Sequence, residues 1–252
     1  MSQRFEGKVV LVTGGASGIG LAVSRRVVAE AGRVVLADLD AEGVERAQAE
    51  LGPQASSLVF DVSGEQGWRD AMSSVESRHG RLDALINNAG VLAEGSIEET
   101  DLATWQRLMR INADSVFLGC HHAVPLLKRQ GGAIVNLSSI AAIGGKEDYA
   151  AYSASKGAVA ALTRSIASYC RRQRYRVRCN SVHPDGVMTP MTAATYPAGV
   201  EPADYTIRQD PMHRLCLPED VASGILFLAS DDAQAINGIE LRIDSGQFVM
   251  SI

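Results

Sequence analysis

One glycine-rich stretch decides how this chain folds: Thr13-Gly14-Gly15-Ala16-Ser17-Gly18-Ile19-Gly20. Residues 8–13, at its amino side, form a β-branched apolar run that is typical of a buried strand, and residues 19–31 have the apolar spacing of a helix. Glycines between a strand and a helix let the backbone approach a ligand at the helix N-terminus. The stretch therefore predicts a strand-turn-helix unit.

The rest of the chain repeats this alternation of short β-branched runs and longer runs of helical period. We predict further strands at 33–37, 57–60, 82–86, 133–137, 176–182 and 239–243, and helices near 41–51, 65–79, 149–170 and 218–229, with one long helix between the fourth and fifth strands. Such spacing is typical of βαβ units. We therefore predict a single α/β domain over 1–252, a doubly wound parallel sheet of about seven strands with helices on both faces.

The composition excludes several classes of protein. The 252 residues carry a formal net charge of −5, with 46% hydrophobic and 21% charged residues, which is ordinary for a globular chain and excludes disordered, collagen-like and fibrous proteins. The mild acidity argues against nucleic acid or a membrane surface as a partner. We interpret the arginine-rich run at 170–179 as an exposed helix end leading into a strand rather than as a nucleic-acid patch.

Cysteine and histidine spacing gives no indication of a metal site. The cysteines form no CxxC pair and lie at Cys120, Cys170, Cys179 and Cys216. The two adjacent histidines at 121 and 122 would not face one site on a helix. The sequence also shows no secretory leader and no run of 18 apolar residues. We therefore expect a cytoplasmic protein with free thiols, no metal and no membrane span.

The glycine-rich stretch and one acidic residue together predict a dinucleotide site. The spacing G-x-x-x-G-x-G is a weak signal alone, but its place between a strand and a helix strengthens it. Asp38 closes the predicted second strand, where a carboxylate can accept hydrogen bonds from ribose hydroxyls and repel a 2′-phosphate. Positions 15, 16 and 39 hold no Arg or Lys that could neutralise such a phosphate. NAD is therefore predicted over NADP, with a helix-capping acid as the alternative interpretation of Asp38.

Tyr152 and Lys156 lie four residues apart at the start of a predicted helix and so share one face. A free tyrosine has a pKa of about 10, which is high for a base at neutral pH. A nearby ammonium group and an oxidised nicotinamide ring would both favour the phenolate. Taken alone, the pair is also compatible with a surface tyrosine and a solvated lysine.

Taken together, these motifs resemble the short-chain dehydrogenase/reductase family. The resemblance covers essentially the whole chain and is carried by the glycine stretch, Asn87-Asn88-Ala89-Gly90, Asn112, Ser139, and Tyr152 with Lys156, and it continues through Asp61-Val62 and residues 184–189. It implies a Rossmann-type fold, an NAD-dependent oxidoreductase, and a homotetramer built on helices near 101–129 and 150–172.

The resemblance also implies a role for each catalytic position. Tyr152 would be the general base in alcohol oxidation and the acid in ketone reduction. Lys156 would bind the nicotinamide ribose and lower the pKa of Tyr152. Ser139, rather than Ser138, would hydrogen-bond the substrate oxygen, and Asn112 would hold a water that links Lys156 to solvent.

The cofactor set that the resemblance implies is larger. It comprises Gly14, Ser17, Gly18, Ile19, Gly20, Asp38, Leu39, Asp61, Val62, Asn88, Ala89, Gly90, Tyr152, Lys156, Pro184, Val187 and Thr189. Within it, Asp61 and Val62 would contact the adenine, and Val187 and Thr189 would meet the carboxamide end of the nicotinamide.

The long irregular segment at 185–217 is predicted to be a lid over an apolar cavity, since loops of this length are usually functional. Its larger side chains are Met188, Met191, Tyr196, Tyr205, Met212 and Leu215. The stretch His183-Pro184-Asp185-Gly186 leads into this segment, at a place where the family more commonly has Pro-Gly. This stretch is similar to the corresponding one in bacterial 3β/17β-hydroxysteroid dehydrogenases. The expected substrate contacts are Ser139, Tyr152, Asp185, Met188 and Met191, although Asp185 could instead be a turn acid.

The predicted function is NAD-dependent oxidation of a bulky apolar secondary alcohol, or reduction of the ketone, with 3β/17β-hydroxysteroids as candidate substrates. Cyclopentanol dehydrogenases share much of the pattern, so a general secondary or cyclic alcohol dehydrogenase is the first alternative. An acyl-carrier ketoreductase is opposed by Asp38. An NAD-sensing regulator is opposed by the joint presence of Asn112, Ser139, Tyr152 and Lys156.

Overall fold

The computed structural model describes residues 3–195, 199 and 201–250. Within them the strands are β1 (Val9–Thr13), β2 (Arg33–Asp38), β3 (Ala55–Val59), β4 (Ala84–Asn87), β5 (Gly132–Leu137), β6 (Val177–Pro184) and β7 (Glu240–Ile243). They form one sheet in the order β3-β2-β1-β4-β5-β6-β7, and each neighbouring pair is parallel. The predicted parallel sheet of seven strands is confirmed.

Helices cover both faces of this sheet, as predicted for a Rossmann-type doubly wound fold. They are α1 (Gly18–Ala29), α2 (Ala41–Leu51), α3 (Glu65–His79), α4 (Leu102–Met109), α5 (Ser115–Leu127), α6 (Ala150–Arg172) and α7 (Pro218–Ala229). One apolar core lies under α1, α2 and α7, and a second lies under α3, α5 and α6. None of the described helices has both the length and the apolar composition needed to cross a bilayer.

The central strand β1 shows why its sequence is continuously apolar. Val10 and Val12 belong to the core on one face, whereas Val9 and Leu11 belong to the core on the other. Successive side chains of a strand point to opposite faces, so a strand covered on both faces must be apolar at every position.

The helix between β4 and β5 differs from the prediction of one long uninterrupted helix. α4 and α5 are joined by a π-helical turn over Arg110–Asp114. In the middle of this wide turn the Asn112 side chain hydrogen-bonds both backbone groups of Val91, in the loop that follows β4. These bonds join residues 21 apart in sequence, so the local apolar pattern does not reveal them.

Several strand ends lie one or two residues from their predicted positions. β3 begins at Ala55 rather than at residue 57, because its register pairs Val34 with Ala55 and Asp38 with Val59 along the edge of the sheet. β6 continues to Pro184, which pairs with Ile243 of β7. The second difference carries Pro184 to the carboxyl edge of the sheet, where β1, β2 and β4 also end.

The segment at 185–217 contains short 3₁₀ turns at Ala193–Thr195 and Pro202–Tyr205. Isolated parallel bridges join Val187 to Cys216 and Thr206 to Leu215, so the two ends of the segment lie side by side. Tyr196, which the lid prediction included, lies outside the described residues.

Candidate active site

A cavity of about 430 Å³ opens at the carboxyl edge of the sheet. Its walls come from the ends of β1, β2, β4, β5 and β6, from the first turns of α1 and α6, and from residues 187–192. The predicted residues that line it are Gly14, Ser17, Gly18, Ile19, Asp38, Leu39, Asp61, Val62, Asn88, Ala89, Gly90, Ser139, Tyr152, Lys156, Pro184, Asp185, Val187, Thr189 and Met191. The sheet topology therefore brings most of the predicted cofactor, catalytic and substrate residues into one space.

Three predicted residues do not line this cavity: Gly20, Asn112 and Met188. Gly20 packs against the glycine-rich turn, where a Cβ atom would collide with the carbonyl oxygen of Gly14. Met188 belongs to the bridge at the base of the segment, where its N–H donates to the Cys216 carbonyl over 3.0 Å. Asn112 is fully buried behind the cavity wall.

Other residues of the cavity wall are Val91, which follows the predicted Gly90, and Pro190 and Thr192, which belong to the predicted lid segment. The lining residues that were not predicted are Phe60, Ser63, Arg110, Ile111, Leu137 and Ser138. Most of them are immediate chain neighbours of predicted positions, as Phe60 is of Asp61 and Ile111 is of Asn112. No motif marks them, and proximity to a predicted residue is the signal that could have found them.

The glycine-rich turn has a shape that side chains would fill. Gly14 has a φ of +63° and Gly18 a φ of +50°, in the left-handed region that favours glycine. A Cβ at Gly14 would lie 2.8 Å from Asn88 Nδ2, and one at Gly18 would lie 3.2 Å from Thr189 Cγ2. Ser17 precedes α1 without making a side-chain capping bond. These residues fit the pyrophosphate of a dinucleotide, which binds helix N-termini through backbone N–H groups.

Asn88 supports this turn from the end of β4. Its Nδ2 donates to the carbonyl oxygens of Thr13 and Gly14 over 2.9 and 3.1 Å. The Thr13 hydroxyl accepts from the N–H groups of Asn88 and Ala89, both over 3.0 Å. In this structure the Asn88 side chain therefore positions the backbone of the turn.

At the other end of the glycine-rich turn, two backbone amides orient the Asp38 carboxylate. Oδ2 accepts from the Ala16 N–H over 3.0 Å, and Oδ1 accepts from the Asp40 N–H over 3.1 Å. Each carboxylate oxygen has two lone pairs, so Asp38 retains acceptor capacity for a ligand hydroxyl. The geometry fits the ribose diol of a dinucleotide that spans the cavity.

Tyr152 and Lys156 face the cavity from the first turns of α6. Lys156 Nζ donates to the Leu137 carbonyl over 2.9 Å and lies 5.7 Å from the centroid of the Tyr152 ring. Burial lowers the pKa of Lys156 to about 8. Burial also raises the pKa of Tyr152, and hydrogen bonding with Ser139 lowers it by a smaller amount.

The lowered Tyr152 pKa that the resemblance implies is therefore not a property of this structure. The Lys156 ammonium group bonds a carbonyl oxygen rather than the phenol, and the loss of hydration outweighs the Ser139 bond. A further positive charge beside the ring would be needed to favour the phenolate.

The two serines at the end of β5 have different partners. The Ser138 hydroxyl donates to the Lys156 carbonyl over 2.9 Å, so it ties β5 to α6. The Ser139 hydroxyl accepts from the Ala141 N–H over 3.1 Å and also interacts with Tyr152. Ser139 is thus the serine whose side chain faces the tyrosine, and that it would hold a substrate oxygen stays a prediction.

Asn112 links three parts of the molecule. Its Oδ1 accepts from the Val91 N–H over 2.8 Å, and its Nδ2 donates to the Val91 carbonyl and to the Ser155 hydroxyl over 3.0 and 3.1 Å. A Cβ at Gly90 would lie 3.1 Å from Asn112 Oδ1 and 3.5 Å from Lys156 Nζ. The Asn112 side chain and the Lys156 ammonium group therefore both lie close to Gly90.

Side chains of the types that bind metal ions do not cluster anywhere in the part of the chain that the structure describes. No group of three or more His, Cys, Asp or Glu residues is arranged there to hold an ion. The four cysteines are buried and free.

Comparisons with known proteins agree with this geometry. A family model described as enoyl-(acyl carrier protein) reductase matches residues 14–247. The 3-beta-hydroxysteroid dehydrogenase of Comamonas testosteroni is 42% identical over 100% of both chains. The cyclopentanol dehydrogenase of Comamonas sp. (strain NCIMB 9872) is 39% identical over 96% of this chain and 98% of that one. The crystal structure of levodione reductase superposes with a TM-score of 0.90 at 32% identity, over 98% of this chain and 100% of that one.

Proposed function

Because the chain belongs to the short-chain dehydrogenase/reductase family, we propose that it interconverts a bulky secondary alcohol and its ketone, using NAD. One observation carries this proposal. Ser139, Tyr152 and Lys156 meet at one end of a single cavity whose other end holds Asp38. A hydroxyl group and a coenzyme can therefore be held together in one space.

The chain's own residues supply proton transfer and orientation. In oxidation, Tyr152 takes the hydroxyl proton of the alcohol, and in reduction it returns a proton to the carbonyl oxygen. Ser139 holds that oxygen by a hydrogen bond. The bound nicotinamide supplies the two-electron chemistry. Lys156, whose Nζ lies 5.7 Å from the centroid of the Tyr152 ring, would favour the phenolate by its charge, and Asn112 would hold a water that leads to solvent.

Asp38 supports NAD rather than NADP as the coenzyme. Family membership gives a nicotinamide coenzyme but does not decide whether it carries a 2′-phosphate. The Asp38 carboxylate is oriented at the cavity end by two amides, where it would bind the ribose diol and repel a phosphate group. Asp61 and Val62, beside it in the wall, would enclose the adenine.

The end of the cavity that holds Ser139 and Tyr152 favours an apolar substrate. Val91, Val187, Pro190 and Met191 contribute to its wall, and methionine adapts to varied shapes. Ring alcohols such as 3β- or 17β-hydroxysteroids and cyclopentanol match this surface. The description of the matching family model favours a second candidate, reduction of the carbon–carbon double bond of an enoyl group on a carrier protein.

Three broader features accompany the proposal. The segment at 185–217 acts as the lid over the substrate end, and the enzyme works in the cytoplasm with its thiols reduced. The subunits assemble as a homotetramer through α4, α5 and α6, since the apolar side chains Leu102, Trp105 and Phe117 are exposed there. Light scattering of the purified protein measures this state directly, and a monomer at micromolar concentration would contradict it.

The function is tested by following reduced nicotinamide by absorbance while purified protein is offered a panel of alcohols. The panel contains cyclopentanol, cyclohexanol, 3β- and 17β-hydroxysteroids and, as a control that cannot form a ketone, a tertiary alcohol of similar size. NAD and NADP are run in parallel. We expect turnover with NAD and ring alcohols and none with the tertiary alcohol.

The other outcomes favour other functions. Reduction of a crotonyl thioester with no activity on ring alcohols would support the enoyl-acyl-carrier reductase, and reduction of an acetoacetyl thioester alone would support an acyl-carrier ketoreductase. Tight NAD binding without turnover of any substrate would support a regulatory protein that binds the coenzyme.

A further inference from the structure

The Asp185 carboxylate is buried although it directly follows the last residue of β6. Its side chain is 1% exposed, and Oδ2 accepts no hydrogen bond from any described residue. The Nε atom of Arg214 lies 3.3 Å from Oδ2, while the Arg214 side chain is 46% exposed. A buried carboxylate oxygen without a hydrogen bond depends strongly on a counter-charge, and here Arg214 supplies it from the far end of the lid segment.

The ion pair lies where the two ends of the lid segment (185–217) meet. The Cys216 N–H donates to the Gly186 carbonyl over 2.9 Å, and the Met188 N–H donates to the Cys216 carbonyl over 3.0 Å. The Leu215 side chain packs so closely on Gly186 that a Cβ there would lie 2.7 Å from it. The returning end of the lid is thus held against the departing end by two backbone bonds, one apolar contact and one ion pair.

We propose that Asp185 and Arg214 are a positioning pair that fixes the substrate wall of the cavity by holding the two ends of the lid together. Val187, Thr189 and Met191, which line the cavity, follow Asp185 directly in the chain. Their placement depends on the bridge between Val187 and Cys216, which the ion pair flanks. The inference rests on the proposed function, because it assigns to the lid the task of shaping that site.

This role differs from the direct substrate contact expected from the sequence. A carboxylate that faces an arginine at 3.3 Å and is 1% exposed offers little surface to a substrate. A direct contact would depend on Asp185 alone, whereas a positioning pair requires both charges. Substitutions of each partner therefore separate the two roles.

The test makes two measurements on each of four variants. One of them, backbone hydrogen exchange, does not require enzyme activity. Arg214→Met removes the charge and keeps an aliphatic stem, and Asp185→Asn removes the partner charge. The double variant closes the cycle. The matched control is Arg208→Met, since Arg208 lies in the same segment and pairs with Asp220 at the surface. Backbone hydrogen exchange of the peptides carrying Met188 and Cys216 reports the bridge, and steady-state kinetics with a ring alcohol reports the wall.

For Arg214→Met we expect about fivefold faster exchange of both peptides and about a fivefold higher KM, with kcat within about twofold of the parent enzyme. Arg208→Met should match the parent in both readouts. Asp185→Asn should show a similar change, and adding Arg214→Met to it should change nothing further, because the partner charge is already absent.

The proposal is overturned by unchanged exchange in Arg214→Met, or by effects of the two substitutions that simply add. It is also overturned if Asp185→Asn raises KM while Arg214→Met does not, since the carboxylate would then act on the substrate itself. If the parent protein turns over no alcohol, the proposed function fails, and the exchange measurements still decide whether the pair holds the lid.

Discussion

The Nδ1 atom of His183 lies 3.0 Å from the carbonyl oxygen of Ser139. A carbonyl oxygen can only accept, so Nδ1 carries the proton, and Nε2 accepts from the Ser181 hydroxyl 2.9 Å away. His183 is fully buried on β6, and burial lowers its pKa to about 4. A neutral imidazole therefore holds the backbone of Ser139 from the neighbouring strand.

This histidine makes the fold sensitive to acid. Its pKa of about 4 in the folded protein lies below the ordinary value of 6.5, so the unfolded chain binds an additional proton between these values and stability is lost as the pH falls. His183→Asn keeps a donor near Nδ1 and removes the titration. Urea unfolding should show that the parent loses about 2 kcal/mol more than the variant between pH 7 and pH 5. An identical pH dependence in both proteins would contradict this assignment.

Tyr152→Phe should remove proton transfer while leaving coenzyme binding intact. We expect kcat to fall by at least about 10²-fold, with the coenzyme Kd from fluorescence titration within about threefold of the parent, because the ring that shapes the wall is kept. The matched control is Tyr149→Phe, since Tyr149 lies nearby but donates to Glu94 over 2.7 Å at the surface. An active Tyr152→Phe protein would refute the role of this phenol.

Lys156→Met should move the pH profile of alcohol oxidation to higher pH. Oxidation needs the Tyr152 phenolate, whose formation burial disfavours, and a positive charge on Lys156, 5.7 Å from the ring centroid, would offset part of that cost. Without it the apparent pKa of the rising limb of kcat should increase by about one unit or more. Rates measured from neutral to alkaline pH check the shift, and a profile that only scales down would show that Lys156 acts through binding alone.

Asp38→Ala should weaken the preference for NAD over NADP by at least about tenfold, since the carboxylate both accepts from the ribose and repels a 2′-phosphate. The ratio of kcat/KM for the two coenzymes measures this. Asp40→Ala is the matched control, because Asp40 caps α2 through the Gly43 N–H and does not line the cavity. An unchanged ratio in Asp38→Ala would remove Asp38 from the coenzyme site.

The sheet could be predicted because most of its strands are β-branched runs that can be recognised from the neighbouring residues alone. β3 was the least visible, since Ser56 and Ser57 are polar and the strand lies at the sheet edge. The π-helical turn at Arg110–Asp114 could not be predicted, because it is accompanied by hydrogen bonds from Asn112 to a loop elsewhere in the chain. Strand order is likewise a tertiary property that the alternation of elements does not specify.

The site residues, like the strands, could be predicted where the local sequence marks them. Gly14 directly follows β1, Asp38 ends β2 and Ser139 lies two residues after β5, so their meeting at one edge could be expected from a parallel sheet. Arg214 carries no local motif, and the stretch His183-Pro184-Asp185-Gly186 did not indicate what the His183 side chain contacts. The parts of these two residues in the site depend on the distances to Asp185 and Ser139. What the sequence could not supply was the support behind the predicted residues, which comes from contacts between distant segments.

The π-helical turn also limits how the length of the chain can change. It accommodates one more residue than a regular helical turn would, and each residue of an α-helix advances by about 100°. A deletion within Arg110–Asp114 would give a regular helix yet rotate α4 by about that angle relative to α5, turning the fully buried Leu108 toward solvent. We therefore expect insertions and deletions within Arg110–Asp114 to be selected against more strongly than substitutions of single residues.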